Sequence, residues 1–427
     1  MQYFEVEGGI PLKGTVTPSG SKNEALPVIA ASLLTEEPVI LENIPNILDV
    51  RNMVGIIQEL GAQVEWTGPN TLIIQAKGSL SAQVNPELAK KIRASILLAG
   101  PLFARKGRVV LPPPGGDVIG KRRLDTHFHV LTSLGARVDV ERFYKVDGGP
   151  PVGGTRIFLD EQSVTATENA LMAAVLARGT TIIENAACEP SVQGLARMLR
   201  AMGAKISGEG TNRIVVEGVE RLRGTKYRVA GDYLEAASFA MLAAVAGEGV
   251  LVEDFPIDGL GKIGYVFRKL GIAYEPQGED CFVPGPQELV IKPDLHGAIP
   301  TIDDAPWPQF PTDLMSVAIT TATQALGTIV FFEKMYDGRM FFVDTLINMG
   351  ARIILCDPHR VVVVGPSRLI GTRMESPDIR AGMALLMAAL VAEGTSRIWN
   401  IAQIDRGYEA IEEKLIRLGA HIRRVGG

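Results

Sequence analysis

Cysteine, histidine and aromatic residues are scarce in this chain, and no apolar run is long. The three cysteines among 427 residues, Cys188, Cys281 and Cys356, lie far apart without a paired spacing. That excludes a disulfide framework and a zinc cluster and leaves reduced thiols. Of five histidines, only His127 and His129 are neighbours, and with no cysteine nearby and no i, i+4 partner they make no metal site. The longest apolar runs, such as MALLMAALVA, fall short of the ~18 residues a membrane span needs. MQYFEVEGGI has no basic head before an apolar stretch, so the chain reads as soluble and cytoplasmic. Its 43 basic and 48 acidic residues give a net charge of -5, which favours neither nucleic acid nor an anionic membrane. Any anion site must be built locally.

What the chain does have is size and repetition. Its hydrophobic content of 46% is ample for two or three cores at this length. A helical stretch ending in Leu or Met, then Gly, then a strand recurs six times: IIQELGAQVEW, LTSLGARVDV, MLRAMGAKISG, FRKLGIAYEP, LINMGARIIL and KLIRLGAHIRR. The glycines are Gly61, Gly135, Gly203, Gly271, Gly350 and Gly419, separated by 74, 68, 68, 79 and 69 residues. Each stands where a helix must end and the backbone turns to positive φ. Upstream lie segments such as ALPVIAASLL, ENALMAAVLARG and IRAGMALLMAALVAEG, apolar nearly all round. They are expected to be helices buried inside, with the β segments as outer walls. A closed arrangement of six units, three per domain, suits this better than an open array.

Five motifs offer chemistry. In TPSGSKNEALPVIAASLL, Ser21 can cap a helix whose first N–H groups, with Lys22, make an anion pocket; the competing reading is an ordinary cap beside a solvated lysine. Arg93, in KKIRASILLAGPL, precedes an apolar helix and says little alone. In LPPPGGDVIGKRRLDTH, three prolines stiffen the approach to Asp117, while Gly115, Gly116 and Gly120 permit unusual backbone angles, a pattern that resembles a lid. Lys121, Arg122 and Arg123 follow, suited to a phosphorylated ligand or to a solvated face, and Asp125 and His127 are either supporting partners or caps. PWPQFPTDLMS holds Asp313 at a helix start, where capping is the competing role. In YDGRMFFVDTL, ESPDIRAGMALL and QIDRGYEAIEEKL, Arg339, Asp378, Arg380, Asp405 and Arg406 fall at loop-to-helix positions of successive repeats.

With SGSKNEALP, IRASILLAGPL, GGDVIGKRRLD, TIIENAACEP, FPTDLMS, PDIRAG and QIDRGYEAIEEKL in this order, the chain resembles the enolpyruvyl transferase family over essentially its whole length. SKNEAL and GGDVIGKRRLD are closer to the nucleotide-sugar branch than to the shikimate branch. The resemblance implies an α/β fold, a two-domain inside-out α/β barrel of six βαβαββ-like repeats. Residues 22–231 would form one domain, residues 1–21 and 232–427 the other, with a double linker and the active site between them.

It implies a reaction as well. The enolpyruvyl group of phosphoenolpyruvate passes to the 3′-hydroxyl of UDP-N-acetylglucosamine and phosphate leaves, through a tetrahedral adduct and without cofactor or metal. This is the first committed step of peptidoglycan precursor synthesis. By the same resemblance Lys22, Arg93, Arg122, Arg380 and Arg406 hold the anionic groups, and Asp313 is the general base. Asn23 lies at the sugar, Asp337 and Arg339 lie in another active-site loop, and Asp378 is counted among the substrate-binding residues. The nucleotide is expected beside Arg122, Arg123, Leu124 and Asp125, and beside Ser163, Val164 and Thr165. Another uridine nucleotide or shikimate 3-phosphate as acceptor, or a binding protein that no longer turns over, are the alternatives.

This sequence departs from the family pattern in places. The family usually carries cysteine at Asp117, proline at Arg123, a lysine near Glu161, glycine at Thr165, arginine at Tyr233 and histidine at Trp307. Members with aspartate at the loop position remain active and escape fosfomycin, which alkylates the cysteine. Insensitivity is expected here, with Asp117 as proton donor or gate. The remaining departures put the acceptor, more than the reaction type, in question.

Overall fold

The computed structural model describes residues 2–117 and 119–426, which divide into two units. One holds residues 2–19, 119–121 and 231–426; the other holds 20–117 and 122–230. Each has three sheets and its own hydrophobic core.

Five of the six sheets share one strand order. In the sheet of Arg156–Phe158, Thr180–Glu184, Arg213–Glu217 and Lys205–Ser207, the first pair is parallel and the next two are antiparallel. The same parallel edge followed by two antiparallel pairs recurs in the sheets centred on Val39–Glu42, Gly247–Val252, Gly327–Phe332 and Thr395–Trp399. The sixth, of Arg108–Leu111, Tyr144–Asp147 and Arg137–Val140, replaces its parallel edge strand with a single bridge from Gln83 to Val110. Antiparallel strands close through short turns, but a parallel pair needs a long crossover, and a helix supplies it. The first strand, Tyr3–Glu7, lies between Thr395–Trp399 and His421–Val425, so the two ends of the chain share a sheet.

The crossover helices are buried on all sides, as their composition requires. Every residue of Met315–Ala322 is buried, as are Ile379 to Leu390 of Ile379–Val391 and Ala166 to Ala174 of Val164–Ala174. The helices that end in the repeat glycines are one-sided instead. Lys262–Leu270 buries Ile263, Val266, Phe267 and Leu270 at helical spacing. All six repeat glycines have positive φ, from 78° at Gly271 to 107° at Gly350, the left-handed turn that carries each helix into its strand. Each unit is thus an inside-out α/β barrel, with sheets outside and helices within. Among the described residues no helix is long and apolar enough to cross a membrane.

Candidate active site

The candidate residues fall into two sets, one in each unit. In the unit of residues 20–117 and 122–230, Ser21 caps Lys22–Ala31, its hydroxyl accepting from the Glu24 N–H at 3.4 Å. Lys22 and Asn23 open this helix half-buried, the Lys22 ammonium 3.9 Å from buried Asp49. Pro27, inside the same helix, cannot donate to the Asn23 carbonyl, which loses its helical partner.

Arg93 has a more definite place than its sequence suggested. Its guanidinium donates to the carbonyls of Arg122 and Arg123 at 2.9 and 3.2 Å, fixing the far end of the basic loop. The near end is held by close approach. A Cβ at Gly115 would lie 1.6 Å from the Lys90 carbonyl, so this glycine serves contact rather than the free joint its sequence suggested. Asp117 and Arg122 are half-buried, and Arg123 and Asp125 form an exposed ion pair at 2.9 Å, worth little in water. Leu124 is buried in the apolar core.

Ser163 caps Val164–Ala174, and Val164 packs against the core. Thr165, half-exposed in the first turn, ends a hydrogen-bonded chain. The Asn169 carbonyl accepts from the Gly100 N–H at 2.7 Å, which fixes the amide's orientation. Its NH2 therefore donates to the Ile96 carbonyl at 3.0 Å and to His127 Nδ1 at 2.9 Å. With Nδ1 accepting, the ring proton of neutral His127 is on Nε2 and points at the Thr165 oxygen, 3.1 Å away. Burial, with Arg93 adding to it, pushes the His127 pKa down to about 3. The Thr165 oxygen is thereby an acceptor toward His127, and its own proton is left to donate elsewhere. Asn169, four residues beyond Thr165 on the same helix face, is a site-forming residue that the sequence offered only through that spacing.

The other unit gathers Asp313, Arg339, Asp378 and Arg380. Asp313 lies inside the turn Thr312–Leu314, and the cap positions of this turn and of the following helix are Pro311 and Leu314. One of its oxygens takes the Arg339 guanidinium and the other takes Arg380 Nε at 3.0 Å. Asp378 caps Ile379–Val391, accepting from the N–H groups of Arg380 and Ala381, and lies 3.8 Å from Arg339. Arg339 and Arg380 are both buried. Burial opposes their charge, but Asp313 and Asp378 around Arg339, and Asp313 and Tyr408 around Arg380, outweigh it and raise both above the usual guanidinium range. Arg380 Nη1 also donates to the Tyr408 hydroxyl at 3.2 Å, while Nη2 is buried with no hydrogen-bond partner among the described residues.

Asp337 is exposed on the loop before Arg339. The backbone approaches it closely at Gly120, whose φ is 127° and whose Cβ would lie 2.1 Å from the Asp337 carboxylate, beside a hydrogen bond from the Gly338 N–H to the Ile119 carbonyl at 2.9 Å. Arg406, grouped by sequence with helix starts, closes the short helix Ala402–Asp405 and donates to Gln403 at 2.8 Å. Asp405 is engaged by Arg424. Two departures from the family pattern touch each other: the Tyr233 and Trp307 rings meet edge-on at 5.4 Å. Among the described residues no His, Cys, Asp or Glu cluster is arranged to hold a metal ion.

The model of the family EPSP synthase (3-phosphoshikimate 1-carboxyvinyltransferase) matches residues 6–415. The chain is 55% identical over 425 residues to the UDP-N-acetylglucosamine 1-carboxyvinyltransferase of Bradyrhizobium diazoefficiens, covering 100% of this chain and 98% of that one. It is 52% identical to the protein of the same name from Treponema denticola, over 99% of each. Of solved structures, the enolpyruvyl transferase NikO from Streptomyces tendae aligns with a TM-score of 0.88 at 22% identity, over 100% of this chain and 99% of that one. EPSP synthase from Acinetobacter baumannii aligns at 0.76 and 20% identity over 100% of both. At such identities these two structures bear on the fold alone.

Proposed function

We propose, for a chain that belongs to the EPSP synthase family of enolpyruvyl transferases, that it transfers the enolpyruvyl group of phosphoenolpyruvate to the 3′-hydroxyl of UDP-N-acetylglucosamine, in peptidoglycan precursor synthesis. The names carried by relatives about half identical over their full length support this acceptor. The single observation that carries the chemistry is the Arg380 guanidinium. A buried charged donor without a partner costs about 1–3 kcal/mol or more, and an anionic ligand would recover it.

The sugar oxygen bonds to C2 of phosphoenolpyruvate, its proton goes to Asp313, and the methylene C3 takes a proton to give a tetrahedral phospholactoyl adduct. Loss of a proton from C3 and of phosphate from C2 then restores the double bond. Lys22, Arg122, Arg406 and the spare Nη2 of Arg380 hold phosphate and carboxylate, while Arg339 and Arg380 Nε keep Asp313 oriented. Asn23 belongs to the sugar. The nucleotide lies along Ser163, Val164 and Thr165 and the segment from Arg122 to Asp125, where the Thr165 hydroxyl donates to it. Asp117 is the proton donor to C3 or a gate, and with a carboxylate in place of a thiol the enzyme is insensitive to fosfomycin.

Release of inorganic phosphate from phosphoenolpyruvate, measured with UDP-N-acetylglucosamine, another uridine nucleotide sugar and shikimate 3-phosphate in separate reactions, tests the proposal. Release that depends on UDP-N-acetylglucosamine is expected. Dependence on either alternative would reassign the acceptor, and binding without release would make this a non-catalytic relative.

A further inference from the structure

Asp304 and Glu333 are both fully buried, and nothing in the proposed chemistry uses them. Asp304 directly follows the parallel edge strand Thr301–Asp303, and Glu333 directly follows its neighbour Gly327–Phe332; Asp303 pairs with Phe332, so Asp304 and Glu333 stand side by side at the next register. One Asp304 oxygen accepts the Lys334 N–H at 2.5 Å; the other is buried with no donor among the described residues. Glu333 accepts the N–H groups of Met335 and Tyr336 at 3.0 Å each on one oxygen and the Thr312 hydroxyl at 2.8 Å on the other.

Nearby cations are committed to other groups. The ammonium groups of Lys262 and Lys334 go to Asp303, and the Arg360 guanidinium goes to Asp357. The Arg339 guanidinium goes to Asp313; its hydrogen-bonded link to Glu333 runs through Thr312, and its direct attraction for the Glu333 carboxylate is outweighed by burial and Asp304. His359 Nδ1–H donates to the Glu333 backbone carbonyl at 2.7 Å, not to the carboxyl group. Two neighbouring buried carboxylates would repel, and the orphaned Asp304 oxygen would go unsatisfied.

We propose that Asp304 and Glu333 share one proton and together act as positioning residues for Arg339 and Asp313. The proton satisfies the orphaned oxygen. Glu333 then holds the turn after its strand through Met335 and Tyr336. It also orients Thr312, whose hydroxyl donates to Glu333 and whose oxygen accepts Arg339 Nε–H at 3.2 Å. Arg339 in turn holds Asp313. Burial first, then Asp304, raises the Glu333 pKa to about 9.

A carboxyl whose folded pKa is raised contributes stability that is full below its unfolded value and is lost as pH rises through about 9. In the same range ionisation of Glu333 beside Asp304 drives the two apart and releases Arg339, so the alkaline limb of kcat belongs to Glu333.

The activity arm rests on the transferase reading; the other arms do not. Asp304→Asn in the full chain can keep the Lys334 N–H on its carbonyl and donate its amide to an ionised Glu333. A difference infrared spectrum at neutral pH should show one protonated-carboxyl C=O band lost in the variant. The difference is essential because burial also pushes the Glu168 pKa well above the usual carboxylate range. The melting temperature should lose part of its decline toward pH 9, and the alkaline limb of kcat should move up by about one pH unit or more. If no transfer occurs with any acceptor, the infrared and thermal arms still read the proton. Glu333→Gln, which donates to Asp304 but no longer titrates, serves if Asp304→Asn does not fold and should lose the same band. An unchanged carboxyl spectrum, or superposable pH dependences of stability in variant and wild type, would overturn the proposal.

Discussion

Asp313 is gripped from two sides, and its two arginines are not equivalent. Arg339 is tied further to Thr312 and Asp378, whereas Arg380 spends Nε on Asp313 and Nη1 on Tyr408 and has one buried donor in hand. A lysine at 380 keeps the charge but cannot span Asp313, Tyr408 and a ligand at once. Arg380→Lys should lower kcat/KM for phosphoenolpyruvate roughly 10- to 100-fold, the scale of one charge-assisted hydrogen bond. Asp313→Asn, which keeps the shape and loses the base, should lower kcat by roughly 10²–10⁴-fold with a smaller change in KM. Initial-rate kinetics on both variants separate the two roles. At Asp117 the chemistry divides differently, since asparagine cannot pass a proton and cysteine can. Asp117→Asn should depress turnover, and Asp117→Cys should retain it while acquiring time-dependent inactivation and a covalent adduct with fosfomycin. Full activity of the asparagine variant would leave the loop no acid role at this position.

Between elements, the chain from Gly100 through Asn169 and His127 to Thr165 joins three helices by one line of hydrogen bonds. It works only with His127 neutral. Because its folded pKa is depressed toward about 3, the unfolded chain binds the extra proton between pH 6.5 and 3, and stability falls as pH drops through that window. His127→Gln carries no such titration. Its melting temperature should lie below wild type at pH 7 and approach or cross it by pH 4. A constant gap would mean that His127 ionises in the fold as readily as out of it. Thr165→Val should raise KM for the nucleotide sugar several-fold with little change in kcat, as expected for loss of one uniform-binding hydrogen bond.

Local signals were legible in the sequence and distant partners were not. The repeat glycines marked helix ends because a left-handed residue at a helix terminus is a local demand, and the all-apolar helices marked the inside because burial is written in composition. Four of the five parallel edge strands, Arg156–Phe158 among them, have three residues, too few to show alternation, so the shared parallel edge could not be read. Asp313 had the local signature of a cap, yet its partners lie 26 and 67 residues away. Glu333 follows the apolar strand GTIVFF, and nothing near it in sequence announces Asp304.

For the whole molecule, six repeats close into two separate cores, and the consequence concerns cooperativity. Phe103 and Phe267 are both fully buried, one in each core, and the two apolar clusters have no member in common. A core of this size can support a unit's folding by itself, so damage to one should leave the other's stability largely intact. The three tryptophans make this measurable. Trp66 belongs to the unit of residues 20–117 and 122–230, and Trp307 and Trp399 belong to the other. With Trp66→Phe as background, fluorescence reports one unit while far-ultraviolet circular dichroism reports both. Phe103→Ala should cost its own unit about 3–5 kcal/mol. At an m-value of about 1–3 kcal/mol/M, that lowers its urea midpoint by one to several molar. The circular dichroism transition should split or broaden toward low urea while the Trp307 and Trp399 midpoint stays in place. Phe267→Ala should do the converse, moving the fluorescence midpoint. Equal displacement of both signals by either substitution would mean that the two cores unfold as one, and that whatever couples them contributes about as much stability as the cavity removes.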